Sequence, residues 1–381
     1  MANSERVSVE VVVVGGGIIG LSIARQLAVR GVQVAVVEQT RIGTGASGAA
    51  AGMLAAQVET EEDGPFFDLQ VESRRLWRKW AATLPDETGM QLGYREEGIY
   101  RIAESEQEAR QLQERLAWQQ KKGFGGAWLD RQALKAQLPG LCDDVYGALY
   151  VPDDHQLDAA LAVEALRRSV VGHGGNVLEG AHVLGLLQNG SRVTGVQTVG
   201  GIISASAVVL AGGMSVPLLL RPLGYRLPLM PIRGTVCALY PHAPFLKRTL
   251  FGTGWYVTPK SDGRLIVGAT QEEGANTREV PVGALVTILQ RVGKMLPELQ
   301  RLPFHSAWSG IRTGTADRLP VIGPVPGVDG LFVATGHFRN GILLAPVTGE
   351  VMAGYILNEA HPTLDVRPFL PERVLESGAE S

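Results

Sequence analysis

Cysteine is almost missing from this 381-residue chain: there are two, Cys142 and Cys237, far apart in sequence. That excludes a disulfide framework and every C-x-x-C metal or redox motif, and it leaves idle or buried thiols in a reducing compartment. Histidine is sparse too, with seven scattered residues and no H-E-x-x-H pair, so no metal site is expected. Nor is there an excess of charge of one sign. Lys and Arg number 35 against 38 Asp and Glu, a formal net charge of −3 without a basic block, so no nucleic acid and no anionic membrane surface is expected as a partner. No uncharged apolar run reaches the ~18 residues of a membrane span. The opening MANSERVSVE lacks the charged-then-apolar pattern of a secretory leader. A cytoplasmic protein with room for two lobes is the expectation.

What is present is a stretch from Val9 to Glu38, VEVVVVGGGIIGLSIARQLAVRGVQVAVVE. A β-branched run too apolar for a surface strand breaks at Gly15, Gly16, Gly17 and Gly20, resumes at helical spacing, and ends in a second apolar run closed by Glu38. This is the β-turn-α-β dinucleotide fingerprint. Gly15 permits the tight turn, Gly17 lets backbone N–H groups approach a pyrophosphate, and Gly20 lets the helix lie close on the strand. An anion at the helix N-terminus meets unpaired N–H groups and the positive end of the dipole. A carboxylate at Glu38 accepts from ribose hydroxyls and repels a 2′-phosphate, so FAD or NAD is expected over NADP.

The loop RIGTGASGAAAGMLAA follows on the cofactor side of such a fold. Ser47 is placed to bond a phosphate, and the backbone at Ala51, Gly52 and Met53 can approach a ring. Helical periodicity covers Asp68 to Leu84, Glu104 to Lys122 (a charged, solvated face), Leu157 to Val170 and Val280 to Leu296. Strands are expected at 95–102, 142–152, 176–178, 183–187, 192–198, 201–204 and 207–210. The last of these runs into Gly212 and Gly213, which read equally as a second dinucleotide contact or a plain turn. Segments 228–240 and 255–270 alternate and carry aromatics, as an antiparallel sheet with one working face does. After Trp308 the grammar of the cofactor domain returns, with a strand at 331–335, then GHFRNGILLAP, and regular helix from about Val347 to Leu357. Residues Leu375 to Ser381 are expected to fray.

Together, VVVVGGGIIGLSIARQLA with VVE, the GASGAAAGML loop, and WSGIRTGTADRLPVIG followed by ATGHFRNGILLAP resemble the D-amino-acid-oxidase-like flavoproteins, and within them the glycine-oxidising branch of bacterial thiamine biosynthesis. The resemblance spans nearly the whole chain. It implies an α/β fold in which a Rossmann-type FAD-binding domain (1–88, 148–228 and 311–370) is interleaved with an antiparallel-sheet α+β substrate domain (89–147 and 229–310), before a tail at 371–381. It also implies noncovalent FAD, a small amino-acid substrate, molecular oxygen as acceptor with hydrogen peroxide as product, and a homo-oligomer, a tetramer in that branch. Beyond the residues already named, it places Ile18, Ile19, Gln39, Arg41, Val183, His337, Arg339, Asn340, Gly341, Ile342 and Leu343 around the cofactor, the last three at the start of the final helix. That helix start would point its positive end at the flavin C2 oxygen.

Oxidation of an amine by a flavin needs little acid–base machinery, since hydride passes to the cofactor once the amine is neutral, and positioning is most of the protein's task. An arginine is therefore sought to grip the carboxylate in a fork. Arg312, in SGIRTG, matches the family's clamp, although from spacing alone it reads equally as a surface partner of Asp317. Tyr256 matches a tyrosine whose hydroxyl helps bind the carboxylate. Arg339 matches an arginine near the substrate amine, its charge favouring a neutral amine and a reduced flavin. Met53 and Gln271 line the pocket, and Gln271 departs from the pattern, which has methionine there. His337 is assigned no proton transfer. Three other readings stay beside this one: a sarcosine oxidase with covalent flavin, for which no cysteine follows Cys237; a D-amino-acid dehydrogenase feeding a quinone; and a flavin-binding module without turnover.

Overall fold

The computed structural model describes residues 7–359, 361 and 363–377. The N-terminus up to residue 6, on which the expected absence of a leader rests, and the end of the expected frayed tail, 378–381, lie outside the described residues.

Val11–Val14 is buried at every position and pairs in parallel with Val34–Val37 on one side and Ala207–Leu210 on the other. The six-stranded sheet runs Val321–Pro324, Leu331–Thr335, Ala207–Leu210, Val11–Val14, Val34–Val37, Asn176–Leu178, and only Val321–Pro324 is antiparallel to its neighbour. Burial on both faces explains the unbroken apolar runs, and the period-2 pleat divides them. Val11 and Val13 pack on the helices Ile18–Val29, Pro65–Thr88, Ala159–Gly172 and Gly341–Leu357; Val12 and Val14 pack toward the small sheet of Val183–Asn189, Arg192–Thr198 and Gly201–Ser204. The α/β class with a parallel sheet is as read from the sequence.

A second sheet of nine strands is largely antiparallel. It runs Glu272–Glu273, Met230–Leu239, Leu265–Gly268, Trp255–Pro259, Thr249–Gly252, Ile99–Ala103, Gly147–Val151, Ala127–Asp130, with Phe304–Gly314 on the other edge of Met230–Leu239. Gly147–Val151 and all of Phe304–Gly314 pair inside this sheet. The strand carrying Trp308 and Arg312 thus stays in the antiparallel sheet to Gly314, a few residues beyond the change of character read at 311.

Four local readings need correction. The strand expected at 95–102 is Ile99–Ala103, because Arg95 forms only an isolated bridge to Gln156 and turns its side chain to Glu97. The charged helix Glu106–Lys121 is not merely a solvated face: Leu112, Arg115, Leu116 and Gln119 are buried at i, i+3, i+4, i+7 spacing. The tail is partly held, since Glu376–Ser377 pairs with Tyr225–Arg226.

The fourth is the extent of the last helix: spacing alone gives about Val347, but the helix starts at Gly341, where the family resemblance places its start, with Pro346 inside it. Proline has no N–H to give the carbonyl four residues back, which is that of Ile342. The Trp77 indole Nε1 donates to this carbonyl at 2.7 Å, and Ser73 Oγ donates to Leu343 O at 2.6 Å. Tertiary donors from the Pro65–Thr88 helix thus replace the missing helical one.

Candidate active site

The site begins where Val11–Val14 ends. Gly15 has φ 119°, and a Cβ there would stand 2.6 Å from Ala211 O; a Cβ on Gly20 would stand 2.0 Å from Gly15 O. Only glycine allows the turn and the close helix–strand contact. Glu38, at the end of Val34–Val37, accepts from the Gly16 N–H at 2.9 Å with Oε2 and from the Thr40 N–H at 2.9 Å with Oε1. The carboxylate is thereby fixed beside the glycine turn. Ser47 Oγ accepts the Ile18 N–H at 3.0 Å, so its hydroxyl stands at the helix N-terminus, where an anion is favoured.

The Ala51–Gly52 segment is tied down from two sides. Gly52, at φ 81°, packs against the Leu157 carbonyl with no room for a Cβ, and Leu157 N–H donates to Gly52 O at 2.9 Å. From the antiparallel sheet, the buried Lys260 Nζ donates to Ala51 O, and also to Gln156 Oε1 and Leu157 O, both at 2.9 Å. Burial pulls the Lys260 ammonium down to about 7.

Several of these groups border a cavity of about 1250 Å³ that reaches across to the antiparallel sheet. From the sequence-derived set it is lined by Gly15, Gly17, Ile18, Ile19, Glu38 and Gln39, by Ser47, Ala51, Gly52 and Met53, and by Gly212 and Gly213. On the far side it is lined by Tyr256, Gln271 and Arg312, while His337, Arg339, Asn340, Gly341 and Ile342 line it from the start of the last helix of the parallel-sheet body. Gly20, Arg41, Val183 and Leu343 are not among the lining residues. Gly20 contacts its own strand; Leu343 is buried in the core with its carbonyl bound to Ser73. Arg41 is exposed in a turn, its carbonyl accepting from Thr44, and Val183 opens the small outer sheet.

Tyr256 and Arg312 reach the cavity over missing side chains. Arg312 lies opposite Ile232 on the edge strand, and its guanidinium crosses Gly234, where a Cβ would stand 2.3 Å from Nη2. Tyr256 faces Gly268, where a Cβ would come within 2.6 Å of the phenol. Arg312 Nη1 donates to Thr270 O at 3.1 Å, and burial lowers its pKa, with Tyr256 as its first electrostatic neighbour. Burial pushes the Tyr256 phenol up to about 12, so it remains a donor. Asp317 is no partner of Arg312: it pairs with Arg373 at 2.6 Å.

Arg339 is not an isolated cation, for its Nε pairs with Glu59 Oε2 at 2.7 Å. His337 is buried with Nε2 on Thr348 Oγ1 at 3.0 Å, and burial drives it down to about 3, leaving a neutral ring. Reading the sequence missed Arg101, Arg115, Glu59 and Phe251, which also line the cavity. Arg101 had a signal, a lone charge in the apolar run IYRIA. Glu59 had none, because it opens an acidic run resembling a solvated loop. Away from the cavity, Glu72, Glu350 and His361 bring three potential ligand atoms within 4.8 Å among the described residues.

The residues fit FAD. A glycine cradle, a fixed acid at the second strand and a small-residue loop meet a single cavity with a basic far side. The family model described as FAD dependent oxidoreductase matches residues 10–355. The chain is 35% identical to glycine oxidase of Geobacillus kaustophilus over 94% of its own length and 96% of the relative's. It is 37% identical to the bifunctional protein ThiO/ThiG of Synechocystis, matching 96% of itself but 54% of that longer protein. The crystal structure of the Geobacillus kaustophilus glycine oxidase superposes with a TM-score of 0.92, covering 95% of this chain and 98% of that one.

Proposed function

The chain belongs to the FAD dependent oxidoreductase family, and from that premise we propose that it oxidises glycine, with sarcosine and small D-amino acids as further candidates. Glycine, water and oxygen would yield glyoxylate, ammonia and hydrogen peroxide, through an imine that hydrolyses or is drawn into thiazole synthesis for thiamine. Bound FAD supplies the hydride-accepting N5. What carries the reading is the convergence of a buried guanidinium, Arg312, and a buried phenol, Tyr256, in the cavity that holds the dinucleotide fingerprint.

In this reading the chain's own groups bind and orient. Arg312 takes the substrate carboxylate, and the protonated Tyr256 hydroxyl donates to it. The substrate amine and α-carbon are then directed toward the cofactor side of the cavity, near Met53 and the start of the Gly341–Leu357 helix. Glu59 offsets the charge of Arg339, so the pair leaves less uncompensated positive charge beside the amine than a free arginine would. The neutral His337 braces the loop before the helix. Glu38 holds the ribose, and Ser47 with the backbone at Ile18 and Ile19 holds the pyrophosphate. The parallel-sheet body serves as cofactor domain and the nine-stranded sheet as substrate domain. The cytoplasm and a homotetramer complete the proposal, the former supported by two free thiols, Cys142 and Cys237.

Anaerobic addition of glycine should bleach the visible flavin absorbance of the purified holoenzyme, and readmitted air should produce peroxide in proportion. A spectrum unmoved by glycine at any concentration would sink the glycine assignment. Bleaching without peroxide would point to a dehydrogenase.

A further inference from the structure

Six arginines line the cavity, among them Arg101, Arg115, Arg312 and Arg339, against four carboxylates; of these Glu38 lies at the glycine turn and Glu272 pairs with Arg233, which leaves Glu59 and Glu61. A monocarboxylate held by Arg312 answers one surplus charge. Arg101 is left over in a more specific way. Its Nη2 donates to Thr253 Oγ1 at 3.0 Å, but Nε and Nη1 are buried without any partner among the described residues, and so is Nε of Arg115. An arginine has five donors in a rigid fork, and unfilled buried donors are costly.

The surroundings do not fill them. Arg101 shares its face of Ile99–Ala103 with Ile99 and Ala103, which pack in the cluster holding Tyr256 and Val236. Its guanidinium lies 5.0 Å from the centre of the Phe251 ring, and that of Arg339 lies 5.6 Å from the same centre. Phe251 thus carries two cations at one edge of the pocket. Glu59 is taken by Arg339, and Glu61 stands 3.7 Å from Arg115 Nη2. Glu108, behind Arg101, accepts from Thr253 and from the Glu104 N–H, while Glu104 is occupied by Trp255 and Arg291. Both Arg101 and Arg312 feel the charges of Arg339 and Glu59, so that pair is within electrostatic reach of each.

We propose that Arg101, with Arg115 near it, forms a second carboxylate subsite, so that the cavity accepts dicarboxylic amines: an α-carboxylate on Arg312 and Tyr256, and a distal carboxylate on the Arg101 guanidinium, which turns its unfilled donors to the ligand when one is bound. The proposal rests on the assignment of Arg312 as the α-carboxylate clamp. It extends the substrate class from glycine to amino acids bearing a second acid on the side chain or on the nitrogen. Arg339 and Glu59, paired with each other, line the same cavity.

Calorimetric titration of the flavin-loaded enzyme with acetate, malonate, succinate and glutarate tests this without turnover. At least one dicarboxylate should bind tenfold or more tighter than acetate. Arg101→Gln should reduce that ratio to near one, Arg101→Lys should keep part of it, and Arg110→Gln, on the exposed face of the same lobe, should keep all of it. Equal affinity for acetate and all three dicarboxylates in the unmodified enzyme overturns the proposal, as does an unreduced ratio in Arg101→Gln. If Arg101→Gln does not fold, the unmodified enzyme and Arg101→Lys still decide. Glycine that fails to reduce the flavin, with the dicarboxylate advantage intact, would refute glycine oxidation and leave the subsite standing.

Discussion

Two buried ionisable side chains of this cavity act through opposite features. Arg312 is useful because it stays charged in a place that disfavours charge, with Thr270 O as its one hydrogen-bond partner among the described residues. Truncating one partner of a buried charge pair costs about 3–5 kcal/mol, roughly two to three and a half decades in affinity. Arg312→Ala should therefore raise the KM for glycine by that factor while the flavin stays bound, as steady-state kinetics and the visible spectrum will show. An unchanged KM would remove Arg312 from the carboxylate site. His337 acts by being neutral. Its folded pKa of about 3 lies below the unfolded value of 6.5, so below pH 6.5 the unfolded chain binds a proton that the folded chain refuses. Stability should fall as the pH drops from 6.5 toward 3, by up to about 1.4 kcal/mol per pH unit from this group. Urea titrations of His337→Gln across that window should show a shallower acid limb. A limb of unaltered slope would mean that the ring is charged in the native state.

Among the elements, the last helix is the most instructive. Its first turn lines the cavity although Pro346 withholds one helical hydrogen bond. The bond is replaced by Trp77, from a helix more than 260 residues earlier. Trp77→Phe keeps most of the buried ring but leaves the Ile342 carbonyl unpartnered, at a cost of about 1–3 kcal/mol. We expect a lower urea midpoint with an unchanged m-value, and weaker retention of FAD because Gly341 and Ile342 border the site. Equal midpoints would show that Ile342 O finds another donor. The antiparallel sheet makes a parallel point with glycines: Gly234 and Gly268 exist so that the guanidinium and the phenol can lie flat across neighbouring strands.

For the whole molecule, the cavity is shared between the parallel-sheet body and the nine-stranded sheet, with Lys260 and Trp308 joining the latter to the Ala49–Ala51 backbone. A ligand that fills such a seam binds only the folded state. Saturating FAD at a hundredfold excess over Kd should add about 2.7 kcal/mol, so the apoprotein should melt several degrees below the holoenzyme and recover on adding FAD. A Tm independent of FAD would mean that the cofactor does not bridge the two sheets.

The sequence alone determined the dinucleotide cradle, because a tight turn, a close helix and a terminal acid are local demands on spacing and Cβ volume. It also determined the alternation of parallel and antiparallel strand types, since burial on one face or two is written into hydrophobic period. What only the tertiary structure decided are relations between distant residues. Asp317 pairs with Arg373 and not Arg312, Arg339 with Glu59, and Pro346 is accommodated inside the last helix by donors from another helix. Arg101 becomes visible as an unfilled fork only once Phe251, Thr253 and Arg115 are packed around it. Propensity and spacing carry the information for local geometry, whereas which charges are left unpaired is settled by packing between segments far apart in the chain.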